Sequence, residues 1–106
     1  MIKVFSLLRR RAGWTTEQFQ RWWLEEHVPY ARKLPGLRKY TVCLTRGSTT
    51  HPDEPTFDGV AELWFDSRED LERAWFHSTE GQAAVAHSMA NVGQRWVLIT
   101  EEHEIL

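Results

Sequence analysis

The chain has 106 residues, six of them tryptophan, and a formal net charge of -2. That length sets the expectation of one domain over residues 1–106, with a single core that buries roughly two thirds of the surface exposed by the unfolded chain. Interspersed charges of both signs exclude the concentrated basic face of a nucleic-acid binder, no apolar run approaches membrane-spanning length, and one cysteine, Cys43, excludes an intramolecular disulfide.

Residues 2–8 read as a strand, a β-branched and aromatic run stopped by Arg9-Arg10-Arg11 and broken at Ala12-Gly13. The helix that follows has a sharp start. Thr15 and Gln18 fit a capping box, and Trp14 and Phe19 fit a hydrophobic staple. Phe19, Trp23, His27 and Ala31 then share one face, because positions i and i+4 superpose, and Trp22 lies beside that face. Pro29 has no N–H to give the carbonyl of Glu25, so the helix is expected to bend there and leave that carbonyl in need of a partner. A proton-active imidazole, an apolar face and a bend within one turn mark His27 as a candidate site residue. Leu34-Pro35-Gly36-Leu37 ends the helix in a turn with positive φ expected at Gly36.

Residues 38–44 alternate as a strand, with Arg38, Tyr40, Val42 and Leu44 on one side and Lys39, Thr41 and Cys43 on the other. Cys43 is expected as a small buried apolar residue. Residues 46–57 form a loop. Residues 58–65 are a third strand, with Val60, Glu62 and Trp64 on one face and Ala61, Leu63 and Phe65 on the other. Asp66 or Ser67 caps a helix over 68–76. After a break at His77-Ser78, Thr79-Glu80-Gly81-Gln82 caps another helical piece to about residue 89. Residues 95–101 are the last strand and 102–106 an extended tail. The order β-α-β-β-α-α-β is that of an α+β, ferredoxin-like βαββαβ fold, with helices on one face of an antiparallel sheet.

The strands read apolar on both faces, while helices cover only one. An open face carrying Val60, Trp64 and Val42 predicts a homodimer joined through its sheets, with the space between them a natural pocket for a small molecule. Glu62 is out of character on that face, and either pairs with Lys3 or Arg38 or has a raised pKa. The start of the chain is too short and too soon interrupted for a signal peptide, so a cytoplasmic protein is expected.

Three stretches carry a resemblance: Phe19-Gln20-Arg21-Trp22-Trp23-Leu24-Glu25-Glu26-His27-Val28-Pro29 followed by Leu34-Pro35-Gly36-Leu37-Arg38-Lys39-Tyr40, then Phe57-Asp58-Gly59-Val60-Ala61-Glu62-Leu63-Trp64-Phe65-Asp66-Ser67, and the closing Val97-Leu98-Ile99-Thr100-Glu101-Glu102-His103. Together they resemble the EthD family, over nearly the whole chain. The resemblance implies a dimeric α+β barrel made of two ferredoxin-like subunits. It also implies kinship with methylmuconolactone isomerases and small polyketide dehydratases and cyclases, which act on cyclic or aromatic molecules without metal or organic cofactor. His27 matches the family's most recognisable polar position, and Tyr40 the aromatic hydroxyl that follows the Pro-Gly turn in some of its enzymes. The same fold hosts several chemistries.

Proton abstraction beside a carbonyl needs a base, a donor for the developing oxyanion and a dry pocket. His27 is the candidate base and Tyr40 the candidate oxyanion donor, while Glu62 would orient the imidazole or act as acid. Trp23 and Trp64 would stack on a planar ligand. His87 would reach the pocket rim, and His51 would close over it from the long loop. No spacing typical of metal ligands, no phosphate loop and no dinucleotide fingerprint is present, so no cofactor or metal is expected. A cofactor-independent isomerase, dehydratase or cyclase is the first reading. A cofactor-free oxygenase and a non-catalytic small-molecule binder are the alternatives.

Overall fold

The computed structural model describes residues 1–50 and 57–106. Its elements are β1 (Ile2–Arg10), α1 (Thr16–Trp22), a π-helical turn (Trp23–His27), α2 (Val28–Ala31), β2 (Lys39–Leu44), β3 (Gly59–Phe65), α3 (Arg68–Phe76), α4 (Thr79–Asn91) and β4 (Val92–Glu101). The strands lie in the order β2-β3-β1-β4, all neighbours antiparallel, which is the ferredoxin-like sheet. No helix among the described residues is long and apolar enough to cross a membrane.

Local signals set the helix starts. The Thr15 hydroxyl accepts from the Gln18 backbone N–H at 3.1 Å and Gln18 Oε1 accepts from the Thr15 N–H at 2.9 Å, closing the capping box. Ser67 caps α3. Ser78, one residue before the expected position, caps α4 by accepting from the Gly81 N–H at 2.9 Å. Gly36 has φ +78°, the turn conformation that glycine adopts without strain.

Register decides which strand residues face the helices. Val4 lies opposite Leu63, Ser6 opposite Ala61, and Leu8 opposite Gly59 and Arg95. On β2, Tyr40 lies opposite Leu63 and Val42 opposite Ala61. These residues share the helix-covered face, where Val4, Leu8, Leu63 and Phe65 join Phe19, Trp22, Trp23 and Leu71 in the core. Val42 therefore belongs to the covered face, not to the open one with Trp64. Cys43 takes the opposite parity and is exposed rather than buried.

Helix and sheet meet closely at two points. A Cβ on Gly59 would stand 2.6 Å from the Trp23 ring, so glycine there lets the indole lie on the sheet. Asp58, 1% exposed, accepts from the Arg10 backbone N–H, the Arg10 guanidinium and the Thr16 hydroxyl, and so ties the start of α1 to the end of β1. β4 begins at Val92, earlier than its side-chain pattern suggests. Backbone pairing with Arg9 and Arg10 across a bulge extends it through Gly93 and Gln94, whatever their side chains.

Candidate active site

Pro29 reshapes the helix instead of merely bending it. The Val28 N–H bonds the Trp23 carbonyl, five residues back, and Trp23–His27 form a π-helical turn. Such turns carry one residue more than an α-helical turn. The turn leaves both Trp23 and His27 on the buried side, 0% and 8% exposed, while Trp22 swings over the His27 ring.

Trp23 and His27 line a cavity of about 40 Å³ between the helices and the sheet, room for roughly two or three waters. Tyr40 comes from β2, Ser6 and Leu8 from β1, Ser88 from α4 and Arg95 from β4. The remaining lining is mainly apolar. No Asp or Glu side chain is among it.

His27 Nδ1 stands 2.9 Å from His87 Nδ1. The two ring planes differ by 8° and the centroids are 5.2 Å apart, so the imidazoles join edge to edge. Trp22 stacks on both, and Tyr30 stacks on His87 at 4.2 Å. Burial first, then the neighbouring His87 and Arg95, lowers the His27 pKa to about 4. His27 is thus a neutral imidazole at pH 7. Burial pushes the Tyr40 hydroxyl up to about 12, so it stays protonated and able to donate. The Trp23 indole N–H lies on the side of Tyr40 and partly opposes that shift, but it falls outside hydrogen-bond geometry.

Two buried polar atoms at this cavity, Trp23 Nε1 and Ser88 Oγ, have no hydrogen-bond partner among the described residues. Unmet buried donors are uncommon and costly, on the order of 1–3 kcal/mol each. Both stand beside the space a water or ligand would fill.

His27, Tyr40 and Trp23 therefore meet at one cavity, and His87 stands behind His27 as its hydrogen-bond partner. Glu62 and Trp64 do not join them. Glu62 lies opposite Phe5 and Thr41, on the open face, with the sheet between it and His27. Its carboxylate pairs with Lys3 Nζ at 2.8 Å and accepts from the Thr41 hydroxyl at 2.9 Å. The Lys3 hydrogen bond is the main reason its pKa falls below the usual value, despite opposing burial. It is an ion pair, neither the orienting group for His27 nor a carboxyl with a raised pKa. Trp64 shares that face, with Lys3 and Lys39 over its ring and its indole N–H donating to Glu102. The cavity lies under the helices, on the side of the sheet away from the open face expected to meet a second copy. His51 lies outside the described residues. Among those described, no three of His, Cys, Asp and Glu converge as a metal site requires.

Sequence reasoning missed Arg95 and Ser88. Arg95 shares strand parity with Val97, and that alternation was the one available signal. Ser88 follows His87 directly and carried none.

The EthD domain family matches residues 11–91. The chain is 30% identical to the 4-carboxymethyl-4-methylbutenolide mutase of Pseudomonas reinekei, over 96% of this chain and 98% of the mutase. An EthD family protein from Bacillus halodurans superposes with a TM-score of 0.85 at 29% identity, covering 97% of this chain and 99% of that one. A dimeric ferredoxin-like protein from Thermobifida fusca matches with a TM-score of 0.70 at 16% identity, over 93% and 88% of the two chains, a likeness of fold.

Proposed function

The chain belongs to the EthD family, and from that premise we propose that it is a cofactor-independent isomerase of a cyclic small molecule, a lactone or similar ring with an acidic C–H beside a carbonyl. The observation that carries this reading is the neutral, buried His27 imidazole at the same cavity as the protonated Tyr40 hydroxyl.

In this reading His27 donates its Nδ1–H to His87 Nδ1, which leaves the Nε2 lone pair as the base. Nε2 takes the proton from the ring carbon. The C–H electron pair moves into the carbonyl, and the Tyr40 O–H donates to the enolate oxygen. The imidazolium then returns the proton to another carbon of the conjugated system, which shifts the double bond. A base held near pKa 4 is weak in the free protein. Negative charge developing on the substrate stabilises the imidazolium as it forms, so its basicity rises along the reaction. Stacked Trp22 and buried Trp23 fix the ring and exclude water. The protein acts as a homodimer joined through the open sheet face, where Trp96 and Leu98 are 58% and 48% exposed.

The test is proton exchange and turnover in D₂O, followed by NMR, of 4-carboxymethylbut-3-enolide, which carries a ring CH₂ beside the lactone carbonyl; the compound named for the Pseudomonas reinekei relative is fully substituted at ring carbon 4 and offers no such proton. His27→Gln should slow deuterium incorporation by roughly 10²–10⁴-fold, with the fold retained. Unchanged exchange in that variant overturns the reading. Turnover that consumes O₂ replaces it with an oxygenase, and ligand bound unaltered by the wild-type protein replaces it with a binding protein.

A further inference from the structure

Two polar groups around the cavity, the Trp23 indole and the Arg95 guanidinium, can only donate, and the Ser6, Ser88 and Tyr40 hydroxyls can donate as well. Trp23 Nε1 and Ser88 Oγ are buried with no partner among the described residues. Tyr40 keeps its proton. Arg95, opposite Leu8 on the helix-covered face, adds a half-buried guanidinium. Among the described residues it makes no ion pair. Its guanidinium carbon stands over the Trp75 ring, 5.8 Å from the centroid. Arg10, by contrast, meets the buried Asp58 at 2.9 Å. A guanidinium drawn into an apolar cavity without a carboxylate is costly. It remains charged, because its intrinsic pKa is so high. A lining rich in donors and lacking any acid fits a ligand that supplies the negative charge and the acceptors.

We infer that this cavity takes its ligand by a carboxylate, with Arg95 as the anchor and the Ser88 hydroxyl or the Trp23 indole N–H as an accessory donor. The inference rests on the reading of the cavity as the site of a cyclic substrate, and it narrows that substrate to a ring bearing a carboxylate. A carboxylate offers about four lone-pair sites and matches the planar guanidinium fork. Anchored on β4, it leaves the rest of the molecule to reach toward His27 and Tyr40. A ring exceeds the present 40 Å³, so seating it widens the cavity by side-chain movement. The anion also neutralises the Arg95 charge, one of the three influences that depress His27, so the ligand prepares its own base.

The experiment compares 4-carboxymethylbut-3-enolide with its neutral methyl ester, by calorimetry and by turnover, on the wild-type protein, Arg95→Gln and Arg95→Lys. Thermal melting checks the fold of each variant. The acid should bind the wild type more tightly than the ester does. Arg95→Gln should weaken acid binding by roughly 10- to 100-fold and leave the ester unchanged, and Arg95→Lys should recover part of the loss. Equal binding of acid and ester, equal loss of both in Arg95→Gln, or no binding of the acid to the wild type at millimolar concentration overturns the anchor. The two ideas fail separately. Arg95-dependent binding of the acid without turnover keeps the anchor and removes the isomerase, whereas turnover of acid and ester alike keeps the isomerase and removes the anchor.

Discussion

Trp22 and His27 stack with centroids 5.2 Å apart and planes 15° apart, although five residues separate them. A regular α-helix superposes i and i+4, and i+5 has already rotated off that face. The extra residue of the π-helical turn lets Trp22 lie over His27 while Trp23, its neighbour in sequence, reaches the cavity. The turn exists because Pro29 offers no N–H to the carbonyls behind it. One backbone defect thus aims two tryptophans and a histidine at the same place.

The buried neutral histidine makes stability depend on pH. In the unfolded chain the imidazole protonates near its ordinary value of 6.5, whereas in the fold it stays neutral down to about 4. Below pH 6.5 the unfolded chain binds the proton and the folded chain does not. The contribution is therefore complete above about pH 6.5, falls as pH drops toward 4, and amounts to roughly 3 kcal/mol. Denaturant unfolding between pH 7.5 and 4.5 should show this slope, and His27→Gln should flatten it. A slope unchanged in that variant rules His27 out as its source.

His87 on α4 and Arg95 on β4 are the charged or titratable neighbours that depress His27, with protonated Tyr40 facing it from β2. Replacing His87 with Leu removes one of the two charge effects but leaves burial, the largest cause. The His27 pKa followed by NMR should rise from about 4 and remain below 6.5. A value that stays at 4 assigns the whole depression to burial and Arg95.

Gly59→Ala should destabilise the protein by roughly 1–3 kcal/mol, because the new Cβ meets the Trp23 ring at 2.6 Å and the Cys43 carbonyl at 2.8 Å. Gly36→Val should cost about 1 kcal/mol or more for a different reason, the positive φ of 78°. Urea unfolding measures both. The Trp23 fluorescence environment should change with Gly59→Ala alone.

Val60→Asp tests the assembly. Val60 lies opposite Leu7 and Cys43 on the open face, where a second copy would bury the new charge. Sedimentation at micromolar concentration should show a dimer for the wild-type chain and a monomer or aggregate for the variant. A wild-type monomer, with stability unchanged in Val60→Asp, removes the sheet-to-sheet dimer.

Short-range chemistry was legible in the residues themselves. The Thr15–Gln18 capping box, the Gly36 turn, the alternation of β2 and β3, and the element order all follow from patterns a few residues long, and they led to the right fold and family. So did the pairing of Trp23 with His27 on one buried side, although the π-helical form of that turn was not evident. Strand alternation separates two faces but does not say which one the helices cover. Glu62 and Tyr40 were therefore joined in one site, and the register across β2 and β3 puts the sheet between them. His87 meets His27, and Arg95 and Ser88 meet the cavity, only because α4 and β4 pack back across segments more than fifty residues earlier. Local sequence fixes each element through hydrogen bonds and dihedral preferences within a turn or two. The site is made by long-range packing, which brings together side chains whose proximity no local pattern encodes.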